Sequence, residues 1–277
     1  DGLVTGVQTC ALPICSIAAF FDLDGTMLPA PSLEWRFASY LDQAGLFNLP
    51  GWIAHAAKNV LHDPLGAVCR NKSYLAGLPE TLAADWARSF VRGHGHTASS
   101  SQAFGTREGL PFFTPALRRL AWHASHQHSI FFMSGTPAPL ARAVARELSS
   151  KLAYTSSARA AWREPITIEV CATELELRSG CWTGRLAGPH ITGEAKARSM
   201  RMAAVRDDIA LCESYAYGNS FADIPMLESA GHPLAVNPSL RLARLAQRRG
   251  WEISHWAECL NAKNISPANI VVAKGAQ

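Results

Sequence analysis

The chain has 277 residues, 48% of them hydrophobic, and a formal net charge of +4. This length suits one large domain or a core with an inserted subdomain, and the small charge argues against a nucleic-acid-binding protein, in which basic residues would cluster. Seven cysteines without a CxxC pair favour reduced thiols in a cytoplasmic protein, and the lack of an apolar run of about 20 residues argues against a membrane span.

The first fourteen residues resemble the translation of a sequencing adapter, and we expect residues 1–14 to be non-native. The apolar stretch 11–21 imitates a signal peptide. It has neither a basic beginning nor a cleavage-like site, however, so we do not expect secretion.

The first predicted element is an apolar strand over 18–21 that runs directly into two acids, Asp22 and Asp24. Four consecutive apolar residues are typical of a strand buried on both faces, and Gly25 and Thr26 end the run. In open α/β sheets, ligands bind at the carboxyl ends of the strands. The two carboxylates therefore stand where such folds carry out chemistry.

A block of helices follows, without any strand pattern from residue 33 to about residue 95. Ser32 is the expected N-cap of the first helix, in which Trp35, Phe37 and Leu41 would share the packed side. We predict helices over 33–44, 52–61, 65–75 and 79–90, and a polar return segment from residue 93. These elements indicate an α-helical cap over 33–105 that is inserted after the first strand.

Strands and helices then alternate to the end of the fold. The predicted helices are 115–126, 140–148, 193–206, 225–230 and 240–249. The predicted strands are 129–133, 166–170, 215–217, 233–236 and an edge strand over 251–254, with a hairpin around residues 179 and 180. Such alternation predicts an α/β fold: a doubly wound, mostly parallel, Rossmann-like sheet formed by 15–32 and 106–260. The tail 261–277 lacks periodicity, and we expect it to be loosely ordered.

Polar side chains follow three of these strands, and a lysine begins a helix between the second and the third. The residues are Asp22, Asp24, Ser134, Thr136, Lys196, Asn219 and Asp223. Because the carboxyl ends of parallel strands meet in one crevice, we expect them to converge. A carboxylate can attack phosphorus, Mg²⁺ binds carboxylates and phosphate, helix N-termini bind phosphate, and a lysine can neutralise developing charge. The set therefore matches the needs of phosphoryl transfer.

Four motifs occur in chain order: FFDLDGT, FFMSGT, GEAK and YGNSFADIPMLE. Together they resemble the four signatures of the haloacid dehalogenase-like (HAD) phosphatase superfamily, and the insertion between the first two is similar to that of members with a helical cap. Within these, GRLAGP…GEAKAR and MLESAGHPLAVNP resemble the HAD-IB hydrolases, which are relatives of phosphoserine phosphatase. The resemblance covers residues 17–256.

The resemblance implies a role for each matching residue. Asp22 would be the nucleophile, Asp24 would protonate the leaving oxygen and then activate water, and Lys196 would stabilise the transferring group. Substrate phosphate would be bound by Ser134, Gly135, Thr136 and Lys196.

The resemblance also implies a Mg²⁺ site. Its ligands would be Asp22, the backbone carbonyl of Asp24, Asn219 and Asp223. Many members have aspartate where this chain has Asn219, so the site has one negative charge less. We therefore expect weaker metal binding than in an all-aspartate site, with Asp223 a direct or water-mediated ligand.

These residues predict a Mg²⁺-dependent phosphomonoesterase that acts on a small phosphorylated metabolite through an aspartyl-phosphate. Asp24 argues against a dehalogenase, because a halide leaves without a proton. A phosphomutase would use the same acid, and a catalytically weak binding or regulatory relative is the second alternative. Phosphoserine, histidinol phosphate and other small esters remain open as substrates, as does the oligomeric state.

Other polar clusters are assigned to solvent-exposed surfaces. Recognition of the substrate by the cap residues Glu34, Arg70 and Lys72 is less favoured than a solvated helix face. No cysteine or acid at ligand spacing supports zinc binding by His94, His96, His123, His126 or His128. A solvated basic helix is the interpretation of Arg241, Arg244, Arg248 and Arg249.

Overall fold

The computed structural model describes residues 15–61, 70–92, 109–153 and 166–270. Its strands are Ala18–Phe21 (β1), Pro111–Phe113 (β2), Ser129–Pro137 (β3), Ile168–Thr173 (β4), Leu175–Arg178 (β5), Cys181–Leu186 (β6), Tyr215–Gly218 (β7), His232–Val236 (β8), Glu252–Ser254 (β9) and Cys259–Asn261 (β10). Its α-helices are Leu33–Gln43 (α1), Leu49–Asn59 (α2), Glu80–Arg92 (α3), Thr114–Ser125 (α4), Ala138–Ala153 (α5), Glu194–Arg206 (α6), Ile224–Glu228 (α7), Leu240–Arg249 (α8) and Pro267–Ile270 (α9).

Six strands form one sheet in the order β4-β3-β1-β7-β8-β9, and every neighbouring pair in it is parallel. The predicted doubly wound α/β fold is confirmed, and β9 is the expected edge strand. The side chains of β1 alternate between two apolar clusters, with Ala18 and Phe20 in one and Ala19 and Phe21 in the other. A strand at the centre of a sheet that is covered on both faces needs such a continuous apolar run.

The first helix begins as predicted, because the Ser32 side chain accepts a hydrogen bond from the Trp35 amide at 3.2 Å. Its packed side differs from the expectation. Leu33, Phe37 and Leu41 are buried at intervals of four residues, whereas Trp35 lies out of phase and is 50% exposed. The period of the helix thus excludes Trp35 from the core.

The segment after α2 is less helical than predicted. Residues 62–69 of the predicted helix 65–75 lie outside the described residues, and 73–75 form only a 3₁₀ turn. The chain then pairs with the β5–β6 hairpin: the Gly77 amide donates to the Trp182 carbonyl at 2.8 Å, and the Trp182 amide donates to Leu78 at 2.9 Å. This part of the predicted cap is therefore hydrogen-bonded to the core part of the sequence, and the division at 33–105 stays a prediction.

The tail requires a correction. Asn261 pairs with Pro111 in the antiparallel β2–β10 ladder, and Ala262, Ile265 and Ile270 are buried. Apolar side chains without a regular period can still pack on a core, so residues 261–270 are held in place, contrary to the expected loose order. Residues 1–14 and 271–277 lie outside the described residues.

In the part of the chain that the structure describes, no helix combines the length and apolarity needed to cross a membrane. The described cysteines are free thiols, namely Cys15, Cys171, Cys181, Cys212 and Cys259.

Candidate active site

The carboxyl ends of β3, β1 and β7 lie side by side, because these strands are neighbours in the sheet. They border a cleft of about 290 Å³. The cleft is lined by all the residues that the sequence assigned to the site, namely Asp22, Asp24, Ser134, Gly135, Thr136, Lys196, Asn219 and Asp223. It is also lined by Ser32, Glu34, His190, Thr192, Ser220 and Ala222.

Lys196 joins two of the carboxylates. It lies in the first turn of α6, and its Nζ is 2.5 Å from Asp22 Oδ1 and 2.6 Å from Asp223 Oδ1. All three side chains are buried, and the two partners come from the end of β1 and from the loop after β7. The lysine ammonium therefore holds together the first and last motifs of the site. Its pKa is raised, because the two carboxylates outweigh the opposing effect of burial.

The environment of Asp22 favours its protonated form. Burial raises its pKa to about 7, the charges of Asp223 and Asp24 add to this effect, and Lys196 opposes it. The Thr26 hydroxyl donates to Asp22 Oδ2 at 3.2 Å. Any further cation in the cleft would favour the carboxylate form.

Asp223 behaves in the opposite way, although burial is the largest influence and acts to raise its pKa. Lys196 and hydrogen bonds from Ser220 outweigh burial and lower the pKa. Asp223 Oδ2 accepts hydrogen bonds from the Asn219 amide at 3.1 Å, the Ser220 amide at 2.9 Å and the Ser220 hydroxyl at 2.8 Å. Because donors stabilise a carboxylate, Asp223 is the better ionised of the two lysine partners.

Asp24 connects the first motif to the second motif and to the helix α1. Its Oδ1 accepts from the Leu33 amide at 2.7 Å, and its Oδ2 accepts from the Thr136 hydroxyl at 2.9 Å. Burial raises its pKa, against the effect of these two hydrogen bonds. A carboxyl group held this way is suited to carry a proton.

The second motif forms a tight turn at the end of β3. The Thr136 amide donates to the Ser134 hydroxyl at 3.1 Å, and both side chains are buried. A β-carbon added at Gly135 would lie 3.1 Å from His190 Nε2, so His190 packs closely against this glycine.

Sequence reasoning missed His190. Its Nδ1 is buried without a hydrogen-bond partner, and burial followed by the charge of Lys72 lowers its pKa. The only sequence signal was its place directly after the GRLAGP stretch, six residues before Lys196.

Asn219 packs against the backbone of the first motif. Gly25 has a φ of +90°, and a β-carbon there would lie 1.9 Å from the amide nitrogen of Asn219. Only glycine permits both this backbone conformation and this close approach. Asn219 thus lines the cleft beside the turn that carries Asp24.

The structure corrects the interpretation of the cap residues Glu34 and Lys72. Lys72 is 1% exposed, and its Nζ is 2.5 Å and 2.6 Å from the two carboxylate oxygens of Glu34. The Tyr74 hydroxyl donates to Glu34 Oε1 at 2.7 Å. These side chains form a buried cluster beside the cleft because they converge from separate turns, whereas Arg70 is exposed.

The other polar clusters lie away from the cleft. His123 is buried, with Nε2 2.7 Å from the Tyr217 hydroxyl and Nδ1 2.9 Å from His128 Nδ1. On α8, Arg249 pairs with Glu228 at 2.6 Å. His94 and His96 lie outside the described residues.

The donor set of the cleft fits Mg²⁺ in its chemistry. Asp22, Asp24 and Asp223 face one buried lysine, Lys196, and Asn219 adds an amide oxygen, so acidic oxygen donors exceed the nearby positive charge. Mg²⁺ prefers such oxygen ligands. Among the described residues, no three His, Cys, Asp or Glu side chains are grouped tightly enough to form a metal centre by themselves. In this geometry Lys196 occupies the space between Asp22 and Asp223.

Comparison with curated proteins finds relatives of two kinds. Phosphoserine phosphatase SerB1 of Mycobacterium tuberculosis H37Rv is 34% identical over 131 residues, which is 47% of this chain and 37% of that protein. A protein from the same organism, named as a probable phosphatase, is 25% identical over 260 residues, 92% of this chain and 81% of that one. The chain thus spans little more than a third of the first relative and most of the second.

Solved structures share the fold. A protein of unknown function from Bordetella pertussis Tohama I aligns with a TM-score of 0.63 at 23% identity, over 86% of this chain and 98% of that one. A probable phosphoserine phosphatase from Vibrio cholerae aligns with a TM-score of 0.56 at 17% identity, over 91% and 65%. The family model described as haloacid dehalogenase-like hydrolase matches residues 19–228. The chain therefore belongs to the haloacid dehalogenase-like hydrolase family.

Proposed function

We propose that this hydrolase is a Mg²⁺-dependent phosphomonoesterase that acts on a small phosphorylated metabolite through an aspartyl-phosphate on Asp22. The observation that carries the proposal is the position of Asp22. It is buried against Lys196 at 2.5 Å, and the proton-bearing carboxyl of Asp24 stands two residues further on. Relatives named as phosphatases support the same class.

The reaction has two steps. In the first, a carboxylate oxygen of Asp22 forms a bond to phosphorus while the ester bond breaks, and Asp24 gives its proton to the departing alcohol oxygen. In the second, Asp24 takes a proton from water as the water oxygen attacks the acyl phosphate, which releases inorganic phosphate and restores Asp22. Lys196 and the Ser134–Thr136 turn hold the phosphoryl oxygens throughout.

The proposed metal ligands are Asp22, the Asp24 carbonyl, Asn219 and Asp223. Bound Mg²⁺ would offset the negative charge of the phosphate and of the carboxylates around it. This fits the raised pKa of Asp22, since a cation beside it favours the carboxylate that has to attack. The cytoplasmic location stays a prediction.

The direct test is hydrolysis of an aryl phosphate in the presence of Mg²⁺. We expect Asp22→Asn to lower kcat by at least about 10³-fold, because an amide cannot form the covalent intermediate. Asp85→Asn on α3 is the matched control, since Asp85 is an exposed partner of Arg88. Retained turnover in Asp22→Asn, or activity that survives a chelator, would contradict the proposal.

The alternatives predict different products. A phosphomutase would move phosphate between positions of one substrate without releasing stoichiometric inorganic phosphate. A regulatory relative would bind phosphate esters without turnover in the wild-type protein. Measuring alcohol and phosphate release together separates all three.

A further inference from the structure

The cluster of Glu34, Lys72 and Tyr74 borders the half of the cleft that receives the leaving group. Asp24, the proposed proton donor, bonds to the Leu33 amide, and Glu34 follows Leu33 in the chain. Glu34 is also close enough to Asp24 to act on its pKa. The alcohol part of a substrate therefore lies next to the Glu34 carboxylate.

That carboxylate is already engaged inside the protein. Lys72 reaches both of its oxygens, at 2.5 Å and 2.6 Å, and Tyr74 donates to Oε1 at 2.7 Å. The lysine is almost fully buried, whereas the side chain of Glu34 is 22% exposed. A substrate ammonium group would have to compete with an ammonium that is tethered in place.

The positive charge of the pair also reaches the wall of the cleft. His190 lines this region, and the charge of Lys72 influences its pKa more than the opposing charge of Glu34 does. Arg70 acts in the same direction as Lys72. The remaining polar groups here, Ser32 and Thr192, are uncharged hydroxyls that can donate or accept hydrogen bonds.

We infer that Lys72 is a specificity-determining residue: by neutralising Glu34 it rejects ammonium-bearing leaving groups, so the substrates are phosphate monoesters of uncharged, hydroxyl-bearing alcohols. The inference rests on the proposed function and narrows its substrate class. It separates this chain from an enzyme for phosphoserine, whose alcohol carries an ammonium group. Discrimination here comes from repulsion of the wrong substrate as well as from binding of the right one.

The test uses two esters of equal size, 2-hydroxyethyl phosphate and O-phosphoethanolamine, as competitors of aryl phosphate hydrolysis in the full-length protein. Their inhibition constants can be compared whether or not either ester is turned over. We expect the wild-type protein to favour the hydroxyl ester by about tenfold or more. A preference for the ammonium ester would overturn the inference, as would inhibition by neither ester.

Substitutions test whether Lys72 causes this preference. Lys72→Met, of similar length, leaves the Glu34 charge without its cation and should shift the ratio towards the ammonium ester by about tenfold. Glu34→Gln keeps the cation and should shift it the other way, and the double variant should return it close to the wild-type value. Lys151→Met is the control, since it removes a lysine that faces Glu147 outside the cleft.

The outcomes separate this inference from the proposed function. Failure of the wild-type protein to hydrolyse the aryl phosphate contradicts the proposed function. Aryl phosphate hydrolysis with a ratio that neither Lys72→Met nor Glu34→Gln moves contradicts only the role of Lys72. If Lys72→Met does not fold, the opposite shift expected in Glu34→Gln still decides the point.

Discussion

Two buried lysines illustrate two different uses of the same ion pair. Lys196 and Lys72 are 4% and 1% exposed, and each lies 2.5–2.6 Å from carboxylate oxygens. Lys196 faces two carboxylates from different motifs, whereas Lys72 uses both oxygens of one carboxylate.

The difference lies in the charge that is left over. Around Lys196, two partners and the nearby Asp24 leave an excess of negative charge, and burial keeps one partner, Asp22, easily protonated. Around Lys72, one cation meets one anion and Tyr74 donates a further hydrogen bond. The first cluster is therefore suited to receive a cation and a phosphate, and the second forms a neutral wall.

The largest expected effect is on catalysis. Lys196→Met should lower kcat for an aryl phosphate by about 10²–10³-fold or more, because the transferring charge loses its cation and two buried carboxylates lose theirs. Lys72→Met should lower it far less, since Lys72 contacts the cap carboxylate and not the reacting groups. Steady-state kinetics on variants whose near-UV circular dichroism matches that of the wild type measures this. Equal losses in both variants would remove the distinction between the two clusters.

A buried polar group without an ionic partner extends the comparison to stability. Burial and neighbouring charges lower the pKa of His123 from 6.5 to about 2, so it folds in the neutral form. The unfolded chain binds this proton below about pH 6.5, and the stability that neutral His123 confers is therefore lost as pH falls through that range. Between pH 7.5 and pH 5.0 we expect a loss of about 2 kcal/mol from this group.

His123→Gln should flatten that part of the pH dependence of the unfolding free energy, as measured by urea denaturation. His55→Gln, at an exposed position on α2, is the control. An unchanged slope in His123→Gln would show that other groups cause the acid sensitivity.

The smallest effect sharpens the picture of the Lys196 cluster. Asn219→Asp adds a carboxylate to the cleft, and we expect it to tighten Mg²⁺ binding by about tenfold, because ligand charge tunes affinity for hard cations. Calorimetric titration of Mg²⁺ measures the change, with the exposed Asn264→Asp as control. No gain in affinity would remove Asn219 from the proposed ligand set.

Much of the fold could be predicted because its signals are local. The unbroken apolar run of β1 indicated a central strand, and glycine, proline and cap residues marked the helix boundaries closely. The errors have a common cause. Trp35 and residues 261–270 were misassigned because apolar residues outside a clear period give no sign of whether a distant surface will cover them.

The candidate site divides in the same way. The residues that line the cleft were found because they follow strand ends in motif order, and parallel topology brings those ends together. His190 and the Glu34–Lys72 pair were missed as parts of the cleft wall, since a single histidine or an isolated charge on a helix usually faces solvent.

The sequence by itself determined the family, the sheet with its helices and the set of side chains at its carboxyl edge, because hydrophobic period and motif order act over short stretches of chain. Only the tertiary structure decided how these charges are shared. Lys196 meets Asp22 across 174 positions, and Lys72 meets Glu34 across 38. No local pattern reports burial or distance over such separations, yet these two quantities set which carboxylates remain available for chemistry.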